Sequence, residues 1–289
     1  METSQKLKEI VREKYSEIAD QRREENASGC CGVGCGCSTI HEGVMAEDYS
    51  QLEGYVADAD LGLGCGLPTE YAHIKEGDVV VDLGSGAGKD AFVARSVTGP
   101  TGKVIGVDFT EKMIRTARAN AAKLGYSNVQ FRQGDIEDMP IDDNVADVVV
   151  SNCVLNLVPD KAKAFSETFR ILKPGGHFSV SDIVLKGDLP EALRKSAEMY
   201  AGCVSGAIPM EQYVEIVKRT GFVSVEVQKQ RKITIPDEIL SVYLNSAELE
   251  QYSTGALGIY SITLYAEKPS GQLAGTKKQE ACCGPDCCG

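Results

Sequence analysis

The sequence predicts a doubly wound α/β fold: a mostly parallel sheet of seven strands, flanked by helices, with a helical cap inserted late in the chain. Three observations predict it. Short β-branched runs alternate with stretches of helical periodicity from about residue 79 to 184. The first run, Val79-Val80-Val81-Asp82-Leu83, leads into glycines at every second position, Gly84, Gly86 and Gly88, the tight turn of a nucleotide-binding first βα unit. Beyond residue 220 the pattern changes to two alternating stretches, Val223–Val227 and Ile259–Ala266, read as strands six and seven of the same sheet.

In chain order, residues 4–19 set Leu7, Ile10, Val11, Tyr15, Ile18 and Ala19 on one face of an amphipathic helix, its charged face solvated. Cys30, Cys31, Cys35 and Cys37 follow on glycine hinges, without the paired spacing of a structural zinc site. Residues 49–68 form an irregular approach ending in Leu63-Gly64-Cys65-Gly66-Leu67-Pro68, which hangs Cys65 over the mouth of the glycine turn as a segment able to swing. The first crossover helix begins near Lys89. Strand two is Val104–Asp108, and Thr110 can cap a helix over Glu111–Leu124 that Gly125 ends. Strand three, Val129–Arg132, leads to Gly134-Asp135-Ile136, and strand four is Ala146–Cys153. A helix over Lys161–Leu172 stops at Lys173-Pro174-Gly175-Gly176, and strand five is His177–Val184. Leu189–Gly202 reads as helical with Cys203 at its end, followed by a helix from Pro209 to Gly221, and Pro236–Leu244 is helical between the last two strands. Three regions are expected: 1–64 with the first helix and a Cys-rich segment, 65–268 as the main domain with the cap at about 187–221, and 269–289 as a flexible tail ending in the array Cys282-Cys283…Cys287-Cys288.

Asp and Glu outnumber Lys and Arg by 42 to 30, a net charge of −12, which argues against a general grip on phosphate backbones. No apolar run approaches the length of a membrane span, and the charged N-terminus is unlike a secretion signal, so a cytoplasmic protein is expected. In that compartment the 11 cysteines stay reduced, available to soft ions or redox chemistry.

The ligand of the glycine turn follows from its spacing. A dinucleotide fingerprint needs G-x-G-x-x-G, whereas here the pattern is G-x-G-x-G with Lys89 in the place of the third glycine. Asp82, at the strand end, would repel a pyrophosphate but can receive a cationic amino group. Asp108 stands about 20 residues past the turn, where an acid bonds ribose hydroxyls, with a structural helix cap as its plainer role. Asp135 is placed for an adenine amino group. This set resembles the first motif of class I S-adenosylmethionine (SAM) methyltransferases, whose Rossmann-like seven-stranded sheet it implies. The cofactor-binding set is then Asp82, Gly84, Gly86, Asp108, Asp135, Ile136 and Asn152.

Three cysteines from separate segments, Cys65, Cys153 and Cys203, can converge above one methyl group, although a single buried cysteine is more often a small core residue. Together with Ser151-Asn152-Cys153-Val154-Leu155-Asn156-Leu157-Val158-Pro159-Asp160-Lys161 and Gly202-Cys203-Val204-Ser205-Gly206-Ala207, they resemble arsenite SAM methyltransferases between about residues 49 and 210. The resemblance implies that Cys153 and Cys203 hold trivalent arsenic. Cys65 and an N-terminal cysteine, Cys31 being one candidate among four, then share binding and redox turnover with a thiol reductant such as glutathione or thioredoxin. The net charge of −12 already argues against a nucleic-acid partner. Two other readings stay open at this stage: a class I enzyme for a small organic acceptor, in which Cys153 is dispensable, and a thiol-rich metalloid buffer or sensor that binds without turnover.

Overall fold

The protein is described by a computed structural model covering residues 4–20, 47–188, 190, 206–234 and 237–271. Cys30, Cys31, Cys35, Cys37, Cys203 and the Cys282–Cys288 array lie outside these residues, as does the helix expected over 189–202.

The expected sheet forms. Its strands are β1 Val79–Leu83, β2 Lys103–Asp108, β3 Val129–Gln133, β4 Ala146–Asn152, β5 Leu172–Lys186, β6 Val223–Lys232 and β7 Gly258–Glu267, in the order β3-β2-β1-β4-β5-β7-β6. β1 to β5 pair in parallel, while β7 runs antiparallel between β5 and β6. The order reverses direction between β1 and β4, so the loops leaving these strands part and open a crevice at the carboxyl edge. β5 begins at Leu172 rather than His177. The helix Lys161–Ile171 ends directly into it, and the turn-forming residues 173–176 lie within the extended strand, where Gly175 takes φ +82°.

Helices α2 (Lys89–Thr98) and α3 (Glu111–Lys123) cover one face, with Phe92, Met113 and Ile114 buried against Val80, Val104 and Phe131. On the other face α4 (Lys161–Ile171) sets Phe165 against Phe178 with ring centroids 5.7 Å apart, and α5 (Met210–Thr220) sets Tyr213 edge-on to Phe165 at 5.6 Å. α5 falls within the expected cap at about 187–221. Its apolar stripe, Tyr213 and Val217, instead completes the main core.

The β6–β7 connection holds two helices, α6 (Asp237–Tyr243) and α7 (Ser246–Thr254). Leu240, Leu244, Tyr252 and Leu257 from this connection close over Cys65 and Cys153 in a second apolar cluster. Among the described residues the apolar surround of the thiols thus draws on this late connection as well as on Ile183, Leu185 and Ala207.

The first helix, α1 (Ser4–Ile18), packs through Tyr15, Ile18 and Ala19 on the α3 side. Leu7 and Ile10, expected on its packed face, are exposed. Lys8 has the opposite fate: it is drawn out of the solvated face to ion-pair with Asp135 and Glu137, both at 2.6 Å. Two carboxylates on the neighbouring loop outweigh what two partly exposed aliphatic side chains lose to water.

Candidate active site

The crevice beyond β1, β2 and β4 is an open cavity of about 1070 Å³, its mouth included. Gly84 and Gly86 form its floor with φ of +66° and +51°, in the left-handed region that favours glycine. Their reasons differ. A Cβ on Gly84 would lie 2.3 Å from Val154 Cγ2, so that glycine lets the loop after β4 close down on the turn. A Cβ on Gly86 would meet nothing within 4 Å, and the residue lines the cavity, so its bare main chain is left for a ligand.

Asp108, Asp135, Ile136, Asn152 and Cys153 also line the cavity, each from the segment expected to supply it. Asp108 accepts the Gly86 N–H at 3.0 Å and the Thr110 N–H at 2.8 Å, so it braces the glycine turn. Asp135 accepts the Glu137 N–H at 2.9 Å as well as the Lys8 ammonium. Burial raises the Asp135 pKa, but these bonds outweigh it and hold the carboxyl below its ordinary value. Asp82 is fully enclosed beneath the turn, and one of its carboxylate oxygens has no hydrogen-bond partner. Burial first, then the negative charges of Asp90 and Asp108, push it well above the usual carboxylate range. Asp90 and Asp108 are raised by burial too. The buried Lys89 ammonium opposes this for Asp82 and Asp90, and a ligand carrying both a sulfonium and an ammonium adds further positive charge to the group. The donor set and the bare Gly86 main chain therefore fit SAM.

Asn152 lines the cavity, where a cofactor contact was expected of it, and has a second task besides. Its side-chain oxygen accepts the Cys65 N–H at 2.9 Å, and its NH₂ donates to Gly66 O at 2.9 Å and Tyr49 Oη at 2.6 Å. Ser261 Oγ donates to the Cys65 carbonyl at 2.6 Å, and Tyr49 Oη also lies 3.0 Å from Gly66 O. Cβ atoms on Gly64 and Gly66 would fall within 2.8 Å of Asn152 and 2.5 Å of Ser181. The Cys65 segment is thus clamped to the tops of β4, β5 and β7 rather than able to swing; its glycines serve close approach, not motion.

Cys153 stands one residue beyond β4 with φ +62°, strained for a side chain, and its N–H donates to Ser181 O at 2.7 Å. That bend turns its thiol off the strand toward Cys65. The two sulfurs and a carboxylate oxygen of Asp182 lie within 4.8 Å of one another, all three residues buried. Asp182 accepts from Tyr213 Oη at 3.0 Å and from the Ile183 N–H at 3.1 Å. Burial pushes its pKa up to about 7 against the opposing pull of Lys161, whose own pKa burial lowers.

Sequence reasoning missed Asp182, Lys8, Tyr49 and Asp90. Asp182 had a signal: it falls in period two with Phe178, Val180 and Val184, on an apolar face of a strand, and a buried acid needs a reason.

A family described as "Methyltransferase domain" matches residues 74–233. An arsenite methyltransferase of Halobacterium salinarum is 37% identical over 279 residues, 92% of this chain and 68% of that protein. One from Aquipseudomonas alcaligenes is 32% identical over 83% of this chain and 69% of its own length. The crystal structure of an arsenic(III) SAM methyltransferase from Chlamydomonas reinhardtii superposes with a TM-score of 0.60 at 36% identity, covering 73% of this chain and 69% of that one.

Proposed function

This chain belongs to the arsenite methyltransferase family, enzymes that move methyl groups from SAM to trivalent arsenic, and we propose that it holds arsenic on Cys65, Cys153 and Cys203. The observation that carries this reading is the pair of buried thiols, Cys65 and Cys153, within 4.8 Å of each other and beside the cofactor turn. Trivalent arsenic is soft and prefers sulfur ligands. Held by thiolates, it keeps a lone pair, so the methyl acceptor needs no proton removed. SAM supplies, when bound, a methyl group on a sulfonium sulfur, the electrophile this lone pair takes up.

The chain's own residues divide the remaining work. Gly84, Gly86 and Ile136 shape the cofactor cavity, Asp108 and Asp135 offer acceptors on its rim, and Asp82 answers the cofactor's positive charge from below. Asn152 fixes Cys65 through three main-chain and side-chain bonds, so the metalloid finds its sulfurs already oriented. The roof formed by Leu240, Leu244 and Tyr252 keeps water from the arsenic–sulfur bonds.

Each transfer leaves arsenic pentavalent, and two electrons from thiols restore the trivalent state. We assign this step to Cys65 with an N-terminal cysteine, Cys31 among the candidates, the resulting disulfide being returned to thiols by glutathione or thioredoxin. No described helix is long and apolar enough to cross a membrane.

Inorganic arsenite offers three bonds to sulfur, and each methyl removes one. The test is methylation of arsenite and of methylarsenite by purified chain with labelled SAM and a thiol reductant, with organic acceptors as control. Cys153→Ser and Cys203→Ser should abolish both reactions, whereas Cys65→Ser should lose arsenite methylation and retain part of the methylarsenite reaction. Equal loss on both substrates with Cys65→Ser, at an unchanged thermal midpoint, overturns the division.

A further inference from the structure

Asp182 has no part in the chemistry above, yet it completes a donor set with the two thiols. Its carboxylate oxygen and the sulfurs of Cys65 and Cys153 lie within 4.8 Å of one another, and all three residues are buried. The carboxylate is held in place by Tyr213 Oη and the Ile183 N–H. A carboxylate adds nothing for trivalent arsenic, which is satisfied by sulfur. For a borderline-soft divalent ion, two thiolates and one carboxylate are a suitable set.

Around a tetrahedral zinc ion, bond lengths of about 2.3 Å to sulfur and about 2.1 Å to oxygen set donors about 3.6–3.8 Å apart. The observed donors, within 4.8 Å of one another, need to close by about 1.2 Å at most, within the reach of side-chain rotation. With both thiols ionised, the three donors and the ion carry a net charge of −1, and the buried ammonium of Lys161, which acts electrostatically on Asp182, opposes it.

We propose that Cys65, Cys153 and Asp182 form a site for a thiophilic divalent cation of the zinc and cadmium class, which occupies the arsenic-binding thiols and inhibits the enzyme competitively. Binding replaces the two S–H bonds, and the O–H bond of Asp182 where that carboxyl is protonated, by bonds to the metal and releases those protons, with no change of oxidation state. Ion binding stands on the donor geometry alone; the inhibition rests on Cys65 and Cys153 being the arsenic ligands.

The test uses the full-length chain reduced by a phosphine, so that no small thiol competes. Stepwise loading with cadmium-113 should give, besides any all-sulfur resonances from the other cysteines, one resonance in the range of mixed sulfur and oxygen coordination. One equivalent of arsenite should displace it. Asp182→Asn should weaken cadmium binding at this site by about tenfold or more while changing arsenite affinity less than about threefold. Absence of the mixed-donor resonance from the wild-type chain overturns the site without recourse to any variant. So does its persistence at unchanged affinity in Asp182→Asn. In turnover assays zinc should raise KM for arsenite and leave kcat unchanged; zinc that lowers kcat alone overturns the competition. Failure of the wild-type chain to methylate arsenite would reject the functional assignment while leaving the cadmium resonance to decide the site.

Discussion

Asp108 uses one carboxylate to fasten two main-chain donors, so its removal acts on the glycine turn and on the ligand together. Asp108→Ala should weaken SAM binding about ten- to a hundredfold, from the loss of about 1.5–3 kcal/mol of charge-assisted bonds. It should also lower stability by about 1–3 kcal/mol, because the Gly86 and Thr110 N–H groups lose their acceptor. Calorimetry and thermal denaturation read the two effects separately, and unchanged SAM affinity would put the ribose elsewhere. Asp182 makes a prediction of opposite character. Its folded-state pKa of about 7 stands above the ordinary 3.8. Between these values the folded protein binds a proton that the unfolded chain has lost. The stability this group contributes is therefore fully present below about 3.8, falls as pH rises, and is gone above about 7. Between about pH 5 and about pH 8 the thermal midpoint of Asp182→Asn should fall less than that of the wild-type chain. Parallel profiles would show that Asp182 keeps its charge on folding.

At the scale of an element, the turn between β1 and α2 separates two uses of glycine that the motif alone shows as equivalent. Gly84→Ala and Gly86→Ala both impose a side chain on a left-handed conformation, at about 1–2 kcal/mol each. Only at Gly84 does the new methyl run into Val154, which adds about 1–3 kcal/mol of overpacking. Gly84→Ala should therefore lower the thermal midpoint clearly more than Gly86→Ala. Gly86→Ala, whose methyl meets no protein atom, should instead raise the Kd for SAM more than its modest stability loss suggests. The reverse ranking in either measurement would reassign the two positions. α7 belongs to this scale too: Asn245 and Glu248 form a complete capping box, a sequence signal for a helix start that lay unused between the last two strands.

For the whole molecule, the antiparallel β7 decides where the tail begins. Glu267 pairs with His177 near the start of β5, while the thiols stand near the far end of that strand, beside Ser181 and Asp182. The described chain thus leaves the sheet at the edge opposite the active site, and the Cys282–Cys288 array comes 11 residues after Gly271 in sequence. Deleting residues 275–289 should leave the rate at saturating arsenite within about twofold of the full chain. If the array captures arsenic and raises its local concentration, the loss should appear only at low arsenite. A loss of rate at all arsenite concentrations would make the tail part of the catalytic site.

The sequence by itself determined the seven strands, the direction of the first five, the glycine turn, and the segments that bring Asp82, Asp108, Asp135 and Cys153 to the carboxyl edge. These features depend on local periodicity, on β-branched runs and on glycine spacing, which are written within a few neighbouring residues. The tertiary structure alone decided the rest. Lys8 reaches Asp135 and Glu137 across more than a hundred residues of chain, and no local pattern tells an ion pair from a solvated helix face. Asn152, which lines the cofactor cavity, also clamps Cys65 because the approach segment lies across the end of β4. Asp182 meets the two thiols because β5 carries it to the same level as the bend at Cys153. Contacts between segments far apart in sequence depend on register and on the close approach of packed layers, and those are fixed only when the sheet assembles.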